Sequence, residues 1–271
     1  MTVAGALALA SSLSLERLDA MLLLAHHLKR GREWLLAHPE AAVDRASQSD
    51  FEADCRRRAN GVPLAYLTGM REFRGLMLRV SPAVLVHRPE TETLADWAIE
   101  RVAALPRGPR PRVVDLGTGS GALALAIAAA CPHADVTATD VSEAALGVAS
   151  ANAERLGLSL RLRHGDWWHA VAGERFDLAV SNPPYVAVDD PHLHALRHEP
   201  QRALVAGDDG LAALRRIVCD ARLCLSGWLL LEHGWNQAEA VQELLSSAGF
   251  SDIETRLDLP GRQRCTGARL P

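Results

Sequence analysis

Residues 112–130 read RVVDLGTGSGALALAIAAA. Val113 and Val114 open a β-type apolar run, and Asp115 closes it. Gly117, Gly119 and Gly121 then alternate into an Ala/Leu helix. Glycines at this position allow tight turning and let a ligand approach the backbone, while the following helix start offers free N–H groups. A tight strand-to-helix turn alone would use the same residues. The spacing is G-x-G-x-G, which differs from the G-x-G-x-x-G of dinucleotide enzymes, and no Gly-Lys-Ser/Thr follows it, which excludes a P-loop.

Outward from this turn, strand-like and helix-like segments alternate. Strands are predicted at DVTATD (135–140), LRLRH (160–164), FDLAVSN (176–182) and GWLLLEH (227–233). Helices are predicted at 122–130, 142–156, 210–225 and 236–249, and two final strands at 252–259 and 264–270. This order predicts an α/β fold with a doubly wound, mainly parallel sheet. Upstream, the amphipathic stretch 87–105 predicts a helix that ends before the loop PRGPRP (106–111). Residues 73–86 carry two short β-type runs around Ser81-Pro82, read as a linking hairpin.

The first ~75 residues read as helical. Leu15, Leu18, Leu22, Ala25 and Leu28 recur at helical spacing with Ser14 as the expected cap, and a second helix is expected from Ser49 to Gly61. Residues 4–12, AGALALASS, resemble a signal-peptide core with Ala8-Leu9-Ala10 as a cleavage-like triplet. The first basic residue is Arg17, on the wrong side of that core, so no signal peptide is expected.

The chain has 271 residues, 48% of them hydrophobic, which allows a sizeable core. Its net charge of −4 and 4% aromatic content lack the Lys/Arg excess that dominates duplex binding. Five scattered cysteines show no metal-type spacing and no disulfide framework, so a reducing, cytoplasmic compartment is expected. No apolar run approaches the ~20 residues of a membrane span.

Two further strand ends carry ligand signals. Asp140 ends the second strand about twenty residues after the glycine loop, where a carboxylate accepts both hydroxyls of a ribose; it also suits a helix cap. In HGDWW (164–168), Asp166 can accept from an adenine amino group, while Trp167 or Trp168 can cover the ring; a core aromatic beside a capping Asp has the same pattern. Three such signals at the carboxyl ends of successive strands read as an adenosine site without a phosphate requirement, which S-adenosylmethionine fits best.

Residues 181–185, SNPPY, close the fourth strand. Methyl transfer from a sulfonium is an in-line displacement, so a catalyst must hold the nucleophile in line at ~3–3.5 Å. A conjugated –NH2 is a poor nucleophile. Two acceptors on its N–H groups orient it and favour the developing positive charge. The Asn182 side-chain oxygen supplies one and the Pro183 carbonyl the other, with Pro184 stiffening the turn and Tyr185 offering a flat face. The amine could be adenine N6, guanine N2 or a glutamine amide; the mildly acidic composition tilts towards a protein amide without deciding it.

Over nearly its whole length the sequence resembles the peptide chain release factor glutamine methyltransferases (PrmC/HemK-like). The likeness rests on PLAYLTGMREFRGL (63–76), RPETETL (88–94), DLGTGSGALALA (115–126), GDWW (165–168), SNPPYV (181–186), EPQRALVAGDDGL (199–211) and DLPGRQR (258–264). It departs from the family at His87, where many members have Pro. The resemblance implies three parts: an N-terminal helical substrate-recognition domain (1–72), a β-hairpin and helix linker (73–108), and a Rossmann-like, seven-stranded class I methyltransferase domain (109–271). It implies methylation of glutamine N5 in the Gly-Gly-Gln loop of class 1 release factors, with no membrane or direct nucleic-acid substrate. Asp115, Gly117, Thr118, Gly119, Ser120, Gly121, Asp140, Asp166, Trp167 and Asn182 would contact S-adenosylmethionine, with Trp167 preferred over Trp168 because it directly follows Asp166. Asn182, Pro183, Pro184 and Tyr185 would hold the glutamine, and Asn182, Pro183 and Tyr185 would serve the chemistry.

Three other clusters are expected to be ordinary. The His192, His194 and His198 spacing tempts a metal reading, but a solvated loop is expected. Arg56, Arg57 and Arg58 read as a solvated helix end. Glu90 and Glu92 read as a helix-start cap or as part of the substrate entry.

Overall fold

The computed structural model describes residues 1–105 and 110–271. Most of the expected loop 106–111 therefore lies outside the described residues. The chain divides into two compact units, Met1–Met70 and Arg71–Pro271.

The first unit holds five helices: α1 (Val3–Ser12), α2 (Arg17–Leu28), α3 (Arg32–Ala37), α4 (Arg45–Ala59) and α5 (Leu64–Thr68). Val3, Ala6, Leu23, Leu24, Leu35, Phe51 and Cys55 form its core. The signal-like stretch is α1, which buries Val3, Ala6 and Ala10 in that core. Ser14 is no cap: it sits at φ 61° in the turn before α2, whose N-cap is Glu16. The helix expected from Ser49 begins four residues earlier, because Asp44 caps α4 by accepting from the Ser47 N–H at 3.0 Å. The three arginines at its end are ion-paired, Arg56 with Glu52, Arg57 with Asp54 and Arg58 with Asp19.

The hairpin comes earlier than the sequence suggested. It pairs β1 (Met70–Phe73) with β2 (Leu76–Arg79), and residues 82–86 are irregular. The turn is Arg74-Gly75, with φ 50° and 78°, the left-handed pair that a two-residue hairpin requires. Glu92 accepts from the Arg74 N–H at 3.0 Å and Glu72 from the Gly75 N–H, which holds an arginine where glycine or asparagine is usual.

The second unit then runs α6 (Thr91–Ala103), β3 (Arg112–Leu116), α7 (Ala122–Ala130), β4 (Asp135–Asp140), α8 (Glu143–Leu156), β5 (Arg161–His164), β6 (Phe176–Ser181), α9 (Ala212–Asp220), β7 (Leu225–Glu232), α10 (Ala238–Ser247), β8 (Ser251–Leu257) and β9 (Gln263–Arg269). The seven strands from β3 onward form one sheet in the order β5-β4-β3-β6-β7-β9-β8. All pairings are parallel except those of β9 with β7 and β8. The chain steps outward from β3 through β4 to β5 and then returns to the other side of β3 as β6. That reversal makes the carboxyl ends of β3 and β6 the crevice where such sheets bind ligands.

The near-continuous apolar runs of β3, β6 and β7 follow from helices covering both faces. One face packs α6 and α7 through Leu94, Trp97, Leu123 and Ile127; the other packs α9 and α10 through Leu214, Ile217, Val241 and Leu245. The α6 segment, expected in a linker, is part of this second unit.

Candidate active site

A cleft open to solvent lies at the carboxyl ends of β3, β4, β5 and β6. Gly117, Thr118, Gly119 and Ser120 line it after β3, Asp140 after β4, Asp166 and Trp167 after β5, and Asn182 and Pro184 after β6. Residues 83–85, His87, Thr91, Pro200, Arg202 and Ala203 complete its wall.

The glycine loop has φ values of 76°, 56° and 85° at Gly117, Gly119 and Gly121, which side chains rarely adopt. A Cβ on Gly117 would sit 2.9 Å from the Trp167 ring, and one on Gly121 would sit 3.2 Å from Ala149 of α8. The loop is therefore pressed between the indole and a helix. Trp167 itself is held at φ 47°, an outlier of the kind that concentrates in binding sites. Trp168 is 1% exposed and donates its indole N–H to the Ile217 carbonyl at 2.8 Å, so it belongs to the core.

Asp140 accepts from the Gly119 N–H at 2.9 Å and the Ser142 N–H at 2.8 Å, which fixes its carboxylate beside the loop. The helix cap of α8 is Ser142. Asp166 pairs with Arg216 at 2.7 Å, with both side chains about half exposed. Asp115 is fully buried behind the loop and is absent from the cleft lining. It accepts from the Thr118 hydroxyl at 2.6 Å and the Ala124 N–H at 3.2 Å, and burial pushes its carboxyl up to about 7.

The Asn182 turn is braced from several sides. Ser181 donates to the Leu116 carbonyl at 2.6 Å, tying the end of β6 to the end of β3. Gln237 donates to the Tyr185 carbonyl at 3.1 Å, and Val186 bridges to Val205. A Cβ on Gly210 would meet the Tyr185 carbonyl at 2.3 Å, so only glycine fits beneath that backbone. Asn182 donates through Nδ2 to the Thr91 hydroxyl at 3.2 Å. Pro183 is buried and Tyr185 half-buried, and neither is among the cleft-lining residues. The Tyr185 phenol donates instead to Glu232 at 3.3 Å, and burial, then the Glu232 charge, raises its pKa.

Three residues on this side were not singled out from sequence. Glu199, 5% exposed, accepts from the Val86 N–H at 3.0 Å and pairs with Arg88, so it joins the 83–88 and 199–203 parts of the wall. Thr91 and Glu232 are both buried. Thr91 and Glu199 lie in the RPETETL and EPQRALVAGDDGL stretches quoted above, and Glu232 ends an otherwise apolar strand in LLLEH. Of the residues weighed upstream, Glu90 is the backbone N-cap of α6 and Glu92 serves the hairpin turn. His87 is buried against Phe73, its Nε2 3.1 Å from the Glu72 carbonyl, and burial lowers its pKa to about 4. His192 lies 2.7 Å from Asp190, and among the described residues no group of three metal-ligating side chains converges.

A family model described as "Methyltransferase small domain" matches residues 101–207, and one described as "PrmC N-terminal domain" matches residues 4–69. Curated relatives named "Release factor glutamine methyltransferase" align along almost the whole chain. The Xylella fastidiosa (strain Temecula1) protein is 49% identical over 98% of this chain and 98% of its own length. The Bordetella pertussis protein is 48% identical over 94% and 96%, and the Escherichia coli protein 43% identical over 93% and 92%. The chain belongs to the release factor glutamine methyltransferase family. Solved structures share the fold at lower identity. The hMettl16 catalytic domain, solved with a 3'UTR hairpin, gives a TM-score of 0.59 at 17% identity over 81% of this chain and 79% of that one. A methyltransferase from Pyrococcus furiosus gives 0.53 at 21% identity over 72% and 89%.

Like its family, the chain is a methyltransferase, and S-adenosylmethionine is its methyl donor. The residues present fit that group. The glycine loop leaves the backbone open to a ligand, and an indole and two carboxylates stand at the rim of the cleft.

Proposed function

We propose that this chain methylates the side-chain amide nitrogen (N5) of the glutamine in the Gly-Gly-Gln motif of class 1 peptide chain release factors. The donor, when bound, supplies a methyl group already activated by its sulfonium charge. The remaining work is positional. Asn182 accepts one amide hydrogen through its side-chain oxygen, and the Pro183 carbonyl accepts the other. Pro184 stiffens the turn, and Tyr185, its hydroxyl on Glu232, braces the turn from behind. Both acceptors strengthen their hold as positive charge develops on nitrogen. Gly117–Gly121, Asp140, Asp166 and Trp167 hold the adenosine end.

The observation that carries this reading is the Asn182 carboxamide on the cleft wall with its nitrogen occupied by Thr91. The family's identity along the whole chain supports the choice of glutamine over a nucleobase. We assign recognition of the release factor to the helical unit, since residues 4–69 match a domain specific to this family. All five cysteines are free, and no described helix is long and apolar enough to cross a membrane, in keeping with work in the cytoplasm beside ribosomes.

Incubation with labelled donor and either a release factor or ribosomal RNA, followed by mass spectrometry, tests the substrate. Label on the Gly-Gly-Gln glutamine alone is expected, and label confined to RNA overturns the proposal. A chain lacking residues 1–70 should still modify a free Gly-Gly-Gln peptide while losing activity on the intact factor.

A further inference from the structure

Among the described residues, four ionisable side chains line the cleft: His87, Asp140, Asp166 and Arg202. Three of them are already engaged. Asp140 is fixed by the Gly119 and Ser142 N–H groups, and Asp166 pairs with Arg216. The His87 ring holds the Glu72 carbonyl through Nε2, and burial keeps it neutral, with its pKa lowered to about 4. The Arg202 side chain is exposed, and none of the described residues pairs with its guanidinium. The lining therefore holds one cation whose charge is unmatched.

S-adenosylmethionine has the group that answers it. Its adenosine carries hydroxyls and an amino group, which suit the acceptors after β4 and β5. Its other end carries an α-carboxylate, the partner that a planar guanidinium fork matches in shape and charge. We propose that Arg202 binds the α-carboxylate of the methyl donor and so fixes the amino-acid end to which the sulfonium is joined. The backbone that carries Arg202 is anchored on both sides. It forms a single 3-10 turn, Gln201–Ala203. Just before that turn, Glu199 accepts from the Val86 N–H at 3.0 Å and pairs with Arg88. Just after it, the Leu204 carbonyl accepts from the Val186 N–H at 2.9 Å, and the Ala206 N–H donates to the Val186 carbonyl at 2.9 Å. Val186 directly follows the Asn182–Tyr185 turn, so the cation is tied to the segment that carries the amide acceptor. Holding the carboxylate there restrains the methyl carbon relative to Asn182. The guanidinium stays in contact with water, so the attraction changes affinity by a few-fold and salt screens it.

The proposal concerns the donor and stands whichever amine receives the methyl group, so binding is measured without any acceptor. S-adenosylmethionine and its decarboxylated analogue, which keeps the sulfonium and the amine, are titrated by calorimetry into the parent protein, Arg202→Ala, Arg202→Lys and Arg202→Glu. At low salt Arg202→Ala should bind S-adenosylmethionine about fivefold more weakly, and the decarboxylated analogue no more weakly than the parent does. Arg202→Lys, which keeps the charge without the fork, should fall between the parent and Arg202→Ala. Arg202→Glu should lose more than Arg202→Ala for S-adenosylmethionine alone, and added salt should shrink each difference. Unchanged affinity of Arg202→Ala for S-adenosylmethionine, or equal losses for the two ligands, overturns the proposal. So does a raised KM for release factor with donor affinity unchanged, which would assign Arg202 to the protein substrate instead.

Discussion

The wall formed by residues 117–120, 140 and 165–167 is set by backbone dihedrals, whereas the wall formed around Asn182 is braced by separate side-chain hydrogen bonds. On the first wall, positive-φ glycines and a strained tryptophan define shape. On the second, buried Thr91, Glu232 and Glu199 hydrogen-bond to Asn182, Tyr185 and the Val86 backbone. A cofactor common to many enzymes needs only a fitted surface. A substrate amide needs its acceptor aimed.

The largest test of this contrast is Asn182→Ala. Removing one preorganised hydrogen-bonding group from a transition state typically costs 10²–10³-fold in kcat. A loss of that size is expected in methyl incorporation, with donor affinity by calorimetry little changed. An equal collapse of donor affinity would mean that the two walls are not separable.

Asp115 sharpens the contrast from beneath the glycine loop. Its folded pKa lies near 7, above the ordinary value of 3.8. The folded state therefore binds more protons between these values, and stability falls as pH rises through the window. The drop is about 3 kcal/mol between pH 4 and 7 by linkage. Melting curves of Asp115→Asn should lose that slope, and a parallel slope in parent and variant would contradict it.

Smaller effects come from the glycines. Gly117→Ala combines left-handed strain, about 1–2 kcal/mol, with a Cβ 2.9 Å from Trp167, so donor affinity should fall more than tenfold. Gly119→Ala has strain alone, since nothing lies within 4 Å of its added Cβ. It should cost about 1 kcal/mol and little affinity. Equal losses at the two positions would show that the Trp167 contact is incidental. The smallest change is Arg216→Ala, which breaks a half-exposed pair with Asp166 and should shift stability by under about 1 kcal/mol.

Sequence made the first wall legible and left much of the second hidden. Glycines at G-x-G-x-G spacing and acids at strand ends announce themselves locally, and each strand from Arg112 onward lies within a residue or two of its expected place. Thr91 and Glu232 have no meaning until α6 and β7 bring them to the Asn182 turn, one against Asn182 and the other against Tyr185. The hairpin was misplaced because its turn uses Arg74, a residue whose left-handed conformation nothing in composition foretells. Helix α1 was hidden because Ala and Leu run through it without a polar face. Tyr185 was read as a flat face towards the substrate; its ring is half-buried and its hydroxyl is turned to Glu232.

The antiparallel strand β9 lies directly against β7, pairing Cys265 with Glu232. Trp97 of α6 rests on it at Gly267, where an added Cβ would come within 2.7 Å of the indole. Both the helix that carries Thr91 and the strand that carries Glu232 thus touch this one antiparallel strand. Loss of β9 should therefore disturb the β7 side of the sheet before the glycine loop, because β9 pairs with β7 and β8 and not with β3.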